Sequence, residues 1–134
     1  MGEPMLEFNQ QPETDWRRLY LEGFGGDTSN AAIAAGRQGT RAAYVTAIGR
    51  DPAGERFLDL WRREGVDSSG VTVSDHSATG IYFVMHSEAG HQFLYYREGS
   101  AASRFGPAEV PKQLFRTAKI AYFSGISQGI SASP

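Results

Sequence analysis

The stretch that most constrains this chain is Gly23-Phe24-Gly25-Gly26-Asp27-Thr28-Ser29-Asn30, followed at once by Ala31-Ala32-Ile33-Ala34-Ala35. Glycine tolerates positive φ and lets other groups approach the main chain closely. Asp27, Thr28 and Ser29 are residue types that cap helix N-termini. The pattern predicts a loop feeding a helix, with free N–H groups and the positive end of the helix dipole turned towards an anion or an oxygen-rich ligand. An ordinary capped turn reads the same way locally, because neither phosphate fingerprint fits: G-x-G-x-x-G counted from Gly23 fails at Thr28, and G-x-x-x-x-G-K-[ST] occurs nowhere. The helix is small-sided, so its backbone can lie close to a sheet, and Gly39 is its C-terminal stop.

Ala42 to Ile48 is apolar on both alternations, the pattern of a strand covered on both faces. Gly49-Arg50-Asp51-Pro52 turns into a second helix with Asp51 as N-cap and Pro52 in the first helical position. Phe57, Leu58, Leu60 and Trp61 form its buried stripe, and Gly65 ends it. Strand, helix and a Gly65-Val66-Asp67 turn make half of a crossover unit, which places the chain in the α/β class. Upstream, Pro4-Met5-Leu6-Glu7-Phe8 is a short extended segment with a clipped start, and Trp16 to Leu21 reads as a half-exposed strand.

After Val66 the pattern changes to strands without helices, at Val71-Thr72-Val73 and from Ile81 to Arg97. The latter is a β-hairpin turning at Glu88-Ala89-Gly90, and its exposed aromatic face suits a binding surface or a subunit contact. A planar guanidinium beside phenolic hydroxyls suits a small ligand with a carboxylate and hydroxyl groups, which singles out Tyr82, Tyr95 and Arg97. A two-residue loop at Ala89-Gly90 would pair Tyr82 with Arg97 and keep Tyr95 on the same face. A three-residue loop would turn Tyr82 away. Further on, Pro107 to Phe115 reads as a short helix and Lys119 to Phe123 as a buried strand ending in a Ser124-Gly125-Ile126-Ser127 turn. Ser131 to Pro134 carries the start signal of another helix, so the chain reads as a fragment.

Thirteen Lys and Arg against 15 Asp and Glu, with the signs interspersed, ask for neither nucleic acid nor a membrane surface as partner. With no cysteine, no apolar run near ~18 residues and no basic-then-apolar leader, the chain reads as one soluble, cytoplasmic domain. His76, His86 and His91 have no carboxylate or thiolate at helpful spacing, so no metal site is expected. Hydrolase motifs are missing as well.

Gly2-Glu3-Pro4-Met5, the Gly23 to Asn30 loop, Tyr44 to Gly49, Glu64-Gly65-Val66-Asp67, Thr79-Gly80-Ile81-Tyr82, Phe93 to Arg97 and Phe123 to Ser127 together resemble the ribokinase-like (PfkB) sugar kinases. Within that family they are most similar to the 2-keto-3-deoxygluconate kinase branch. The resemblance implies a layered α/β sandwich with a protruding β-sheet lid, of which residues 1–134 would be the N-terminal part, with lid strands at about 16–22 and 71–97. It implies that Gly25, Gly26 and Asp27 contact sugar hydroxyls, that Asn30 supports the site, and that Tyr82, Tyr95 and Arg97 belong to the lid, with Arg97 facing a substrate carboxylate.

The family moves the γ-phosphoryl group of ATP, with Mg2+, to a sugar hydroxyl, using an Asp in a Gly-Ala-Gly-Asp segment as base. No such segment occurs in these 134 residues. The chain alone is therefore expected to bind a sugar acid, to hold no ATP and to be inactive, with no residue assigned as catalytic. A fructokinase-like member of the family, or a non-catalytic sugar-binding module that self-associates through the lid sheet, are the alternatives.

Overall fold

Successive side chains of a strand point to opposite faces, so Met5-Leu6-Glu7-Phe8 splits into a wholly apolar face and one that carries an acid. In a computed structural model, which describes residues 1–13 and 16–130, Met5 and Glu7 of β1 (Met5–Gln10) share one face and Leu6 and Phe8 the other. The chain continues through β2 (Tyr20–Gly25), α1 (Asp27–Arg37), β3 (Ala43–Gly49), α2 (Pro52–Arg63), β4 (Asp67–Ser74), β5 (Gly80–Ser87), β6 (Gly90–Tyr96), α3 (Lys112–Thr117) and α4 (Gly125–Ile130). Two sheets result. One has the order β2-β1-β5-β6, with β1 antiparallel to β2 and parallel to β5; the other is the parallel pair β3-β4.

Leu6, Phe8, Phe24 and Ile81, from the inner face of the four-stranded sheet, pack with Ile33 of α1, Tyr44 and Ile48 of β3, and Phe57 and Trp61 of α2. Aromatic rings dominate that core: Tyr44 and Trp61 lie 4.9 Å apart, Phe57 and Trp61 5.3 Å, and Phe24 meets Phe57 edge-on. The β3-α2-β4 crossover follows from its sequence. Asp51 Oδ1 accepts the Gly54 N–H at 2.8 Å, Pro52 opens α2, and Gly65 leaves it at φ 67°. Asp51 Oδ2 also accepts the Thr79 N–H at 2.7 Å, fastening the entry to β5. Asp51→Ala removes both bonds and is expected to cost about 1–2 kcal/mol in urea unfolding.

Several sequence expectations are corrected. Val71 to Ser74, expected to share a sheet with the hairpin, instead pair in parallel with Thr46 to Gly49 of β3. The strand expected from Trp16 begins only at Tyr20, because its partner β1 ends at Gln10, and it continues through Gly25 into the expected loop. The helix expected from Pro107 to Phe115 is divided into a 3-10 turn (Pro107–Glu109) and α3. Pro111 supplies no N–H and keeps Val110 extended at ψ 120°. Lys119 to Phe123 forms no strand, and Ile120, Tyr122 and Phe123 are exposed. An apolar run becomes a strand only beside another strand, and among the described residues none lies alongside it. The turn expected at Ser124 to Ser127 is instead the start of α4, and the helix signal at Ser131 to Pro134 lies outside the described residues. No helix among the described residues is long and apolar enough to cross a membrane.

Candidate functional site

Where β2 ends, the chain turns sharply into α1, and the turn is a single residue. Gly26 caps the helix at φ 104°, a conformation L side chains rarely adopt. A Cβ there would also sit 2.5 Å from the Glu3 carbonyl oxygen. Thr28 and Ser29 are not the caps that their types suggest. Both are buried: Thr28 Oγ1 shares a hydrogen bond with Tyr44 Oη at 2.8 Å, and Ser29 Oγ accepts the Trp61 indole N–H at 2.9 Å. They fasten the first turn of α1 to β3 and α2. Burial pushes the Tyr44 hydroxyl well above its ordinary pKa of 10.0. Asp27 stays exposed, and its Oδ1 takes the Thr28 N–H at 2.7 Å, so one of the free helix N–H groups is already satisfied from within.

The outer face of the four-stranded sheet supplies the opposite wall. Its hairpin turns on Glu88-Ala89, pairing Ser87 with Gly90 and Tyr82 with Tyr95. That register is shifted by two residues from the one that would oppose Tyr82 to Arg97. Because side chains alternate with period two, the shift leaves Tyr82, Tyr95 and Arg97 on one face. The Tyr82 and Tyr95 rings stack at 5.7 Å, Phe93 stacks on Tyr95 at 6.2 Å, and the Arg97 guanidinium carbon lies 5.7 Å from the Tyr95 ring centroid. The Tyr82 hydroxyl donates to Glu7 Oε2. Burial first, and then this carboxylate, hold Tyr82 protonated far above the usual phenol range. Gly25 makes room for it, since a Cβ there would lie 2.5 Å from the Tyr82 ring.

Between the walls lies a cleft of about 180 Å³, lined by Gly26, Asp27, Tyr82, Tyr95 and Arg97 among the residues expected from the sequence. Gly25 sits behind Tyr82. Asn30 is exposed on α1 and does not line the cleft. Sequence reasoning missed Glu3, which lines the cleft, is buried, and is ion-paired through Oε2 with Arg97 Nη2. It also missed Glu7, and Ile126 and Ser127 at the start of α4. A signal existed for the acids: Glu3, Met5 and Glu7 recur with period two beside apolar Leu6 and Phe8. Among the described residues the lining therefore carries one cation, Arg97, and two carboxylates, Glu3 and Asp27. At the far end of the hairpin, His86 and His91 meet through their Nδ1 atoms at 2.7 Å, and His86 Nε2 reaches Asn9 Oδ1 at 2.9 Å. Among the described residues no three His, Cys, Asp or Glu side chains gather as a metal site.

The family model described as pfkB family carbohydrate kinase matches residues 12–133. A 2-dehydro-3-deoxygluconokinase of Thermoproteus tenax is 34% identical over 138 residues, covering 99% of this chain and 42% of that protein. A probable fructokinase-3 of Arabidopsis thaliana is 35% identical over 109 residues, covering 81% of this chain and 32% of that protein. Among solved structures, a fructokinase with bound ATP from Xylella fastidiosa superposes with a TM-score of 0.79 at 26% identity, covering 85% of this chain and 34% of that one. The chain thus spans less than half the length of these relatives.

Proposed function

The chain belongs to the pfkB family of carbohydrate kinases, and from that premise we propose that it is the sugar-binding part of an ATP-dependent kinase that converts 2-keto-3-deoxygluconate to its 6-phosphate. The observation that carries this reading is the convergence on one cleft of Gly26 and Asp27 from the β2-α1 junction, Tyr82 from β5, Tyr95 from β6 and Arg97 just beyond it. In this reading Gly26 brings bare backbone to the sugar hydroxyls, Gly25 acts from behind by leaving the space that Tyr82 fills, and Asp27 accepts hydrogen bonds from those hydroxyls. Tyr82 spends its own proton on Glu7 and so faces the sugar as an acceptor. Tyr95 stacks beside the ring, Arg97 takes the sugar-acid carboxylate, and Asn30 acts from outside the lining. The lid is the sheet of β1, β2, β5 and β6, whose exposed Leu94 and Tyr96 at the β6 edge also suit a subunit contact.

Phosphoryl transfer is proposed for the complete protein only. The cleft is smaller than the roughly 300–1,000 Å³ of sites for drug-sized ligands, and Arg97, the one cation that lines it among the described residues, is already paired with Glu3. These residues do not fit a metal-bound triphosphate, so ATP and Mg2+ are assigned to the remainder of the complete kinase. No residue of this chain is assigned as catalytic base.

A second reading, a fructokinase-like member acting on a neutral sugar, is favoured by the excess of carboxylates over cations in the lining. Calorimetric titration of the chain with 2-keto-3-deoxygluconate, gluconate and fructose separates the two. Saturable binding of the keto acid ahead of fructose is expected; the reverse order would establish the second reading, and no binding by a chain that circular dichroism shows folded would count against both.

A further inference from the structure

Arg97 does not hold its place unaided. Glu3, whose side chain is 2% exposed, meets Arg97 Nη2 through Oε2, and its Oε1 accepts the Ser100 hydroxyl at 2.6 Å. Ser100 is itself buried and fixed: its N–H donates to the Arg97 carbonyl at 3.0 Å, and its hydroxyl oxygen accepts the Ser103 N–H at 3.2 Å. Opposite, a Cβ at Gly80 would lie 2.8 Å from Glu3 Oε1, so the carboxylate fills a space left for it by a residue with no side chain. An ionised carboxylate removed from water is costly unless paired. Here the pairing partner is the cation of the cleft, which leaves Arg97 Nε buried without a hydrogen-bond partner among the described residues. Of the other charged groups nearby, Asp27 lines the cleft and is exposed, while Glu7 lies outside the lining and is engaged with Tyr82.

We propose that Glu3, anchored by Ser100, is a positioning residue that sets how strongly this site prefers an acidic sugar over a neutral one, acting through Arg97. The proposal rests on the sugar-acid reading above. Without the carboxylate, the guanidinium loses the partner that orients its fork and turns towards solvent, since its side chain is only 21% exposed while paired. Glu3→Gln keeps the size and the Ser100 bond while removing the charge.

The test is a double-mutant cycle read by calorimetry with 2-keto-3-deoxygluconate and fructose, on chains whose circular dichroism matches the parent. Glu3→Gln is expected to weaken keto-acid binding about tenfold, the effect of one charge-assisted hydrogen bond, and to leave fructose within about twofold. In an Arg97→Ala background the same change should have no further effect, because its route has been removed. Ser100→Ala, which loosens the anchor but keeps the charge, should lower the acid preference by a smaller factor, and it runs the same cycle if Glu3→Gln fails to fold. An equal loss in the Arg97→Ala background, an equal loss for fructose, or tighter acid binding by Glu3→Gln would each overturn the proposal while leaving the sugar-acid reading intact. A parent chain that binds fructose ahead of the keto acid would instead overturn that reading, and this proposal with it.

Discussion

Arg97→Ala is expected to weaken binding of 2-keto-3-deoxygluconate by about 1.5–3 kcal/mol, or roughly ten- to hundredfold, while changing fructose affinity by less than about threefold. The asymmetry follows from what the guanidinium is proposed to touch. A carboxylate offers two oxygens to its fork, whereas a neutral sugar loses at most an ordinary hydrogen bond. Arg97→Lys keeps the charge without the planar fork and should fall between the two. The alanine variant also strands the Glu3 carboxylate, which is 2% exposed and would keep only its Ser100 bond. Breaking a fully buried ion pair costs about 3–5 kcal/mol; the cost here should be lower, because the Arg97 side chain is 21% exposed and water can reach the gap. Calorimetry on samples checked by circular dichroism separates the effects: a loss shared equally by both sugars would mean damage to the fold and would sink the assigned contact.

Local chemistry made some of this fold readable. Asp51, Pro52 and Gly65 bound α2 in the sequence as they do in the structure, and β3 is buried along Tyr44 to Gly49, as its doubly apolar alternation predicts. The faces of the hairpin were readable for a different reason: parity survives a register error of two residues, though the pairing of Tyr82 does not. What failed was non-local. Val71 to Val73 has the same strand signature in either sheet, and only the α2 crossover beside β3 decides between them. Ile120 to Phe123 looks like Tyr44 to Ile48 in composition, yet one is exposed and unpaired among the described residues while the other has β4 alongside. Glu3 was hidden because its meaning lies 94 and 97 positions downstream, at Arg97 and Ser100. A charged residue next to a proline near the start of a chain reads as solvated surface until the sheet folds over it.

The β2-α1 junction couples that hidden acid to the rest of the site, and Gly26→Ala is expected to break the coupling. The substitution meets two separate penalties. At φ 104° an L residue costs about 1–3 kcal/mol, and a Cβ placed 2.5 Å from the Glu3 carbonyl oxygen and 3.0 Å from the Pro4 Cα forces backbone to move, at about 1–3 kcal/mol more. A total destabilisation of about 2–6 kcal/mol is expected in denaturant unfolding. Gly90→Ala isolates the first penalty, since Gly90 lies at φ 115° with nothing within 4 Å of its missing Cβ. It should cost only the conformational part and leave sugar binding unchanged. Because the atom that must yield to Gly26→Ala is the main chain of Glu3, the displacement passes to the carboxylate that holds Arg97. Keto-acid affinity should then fall at least about tenfold in variants still folded at low temperature. Equal destabilisation by the two glycine substitutions would mean that β1 yields freely, and Gly26 would then be a requirement of the turn alone.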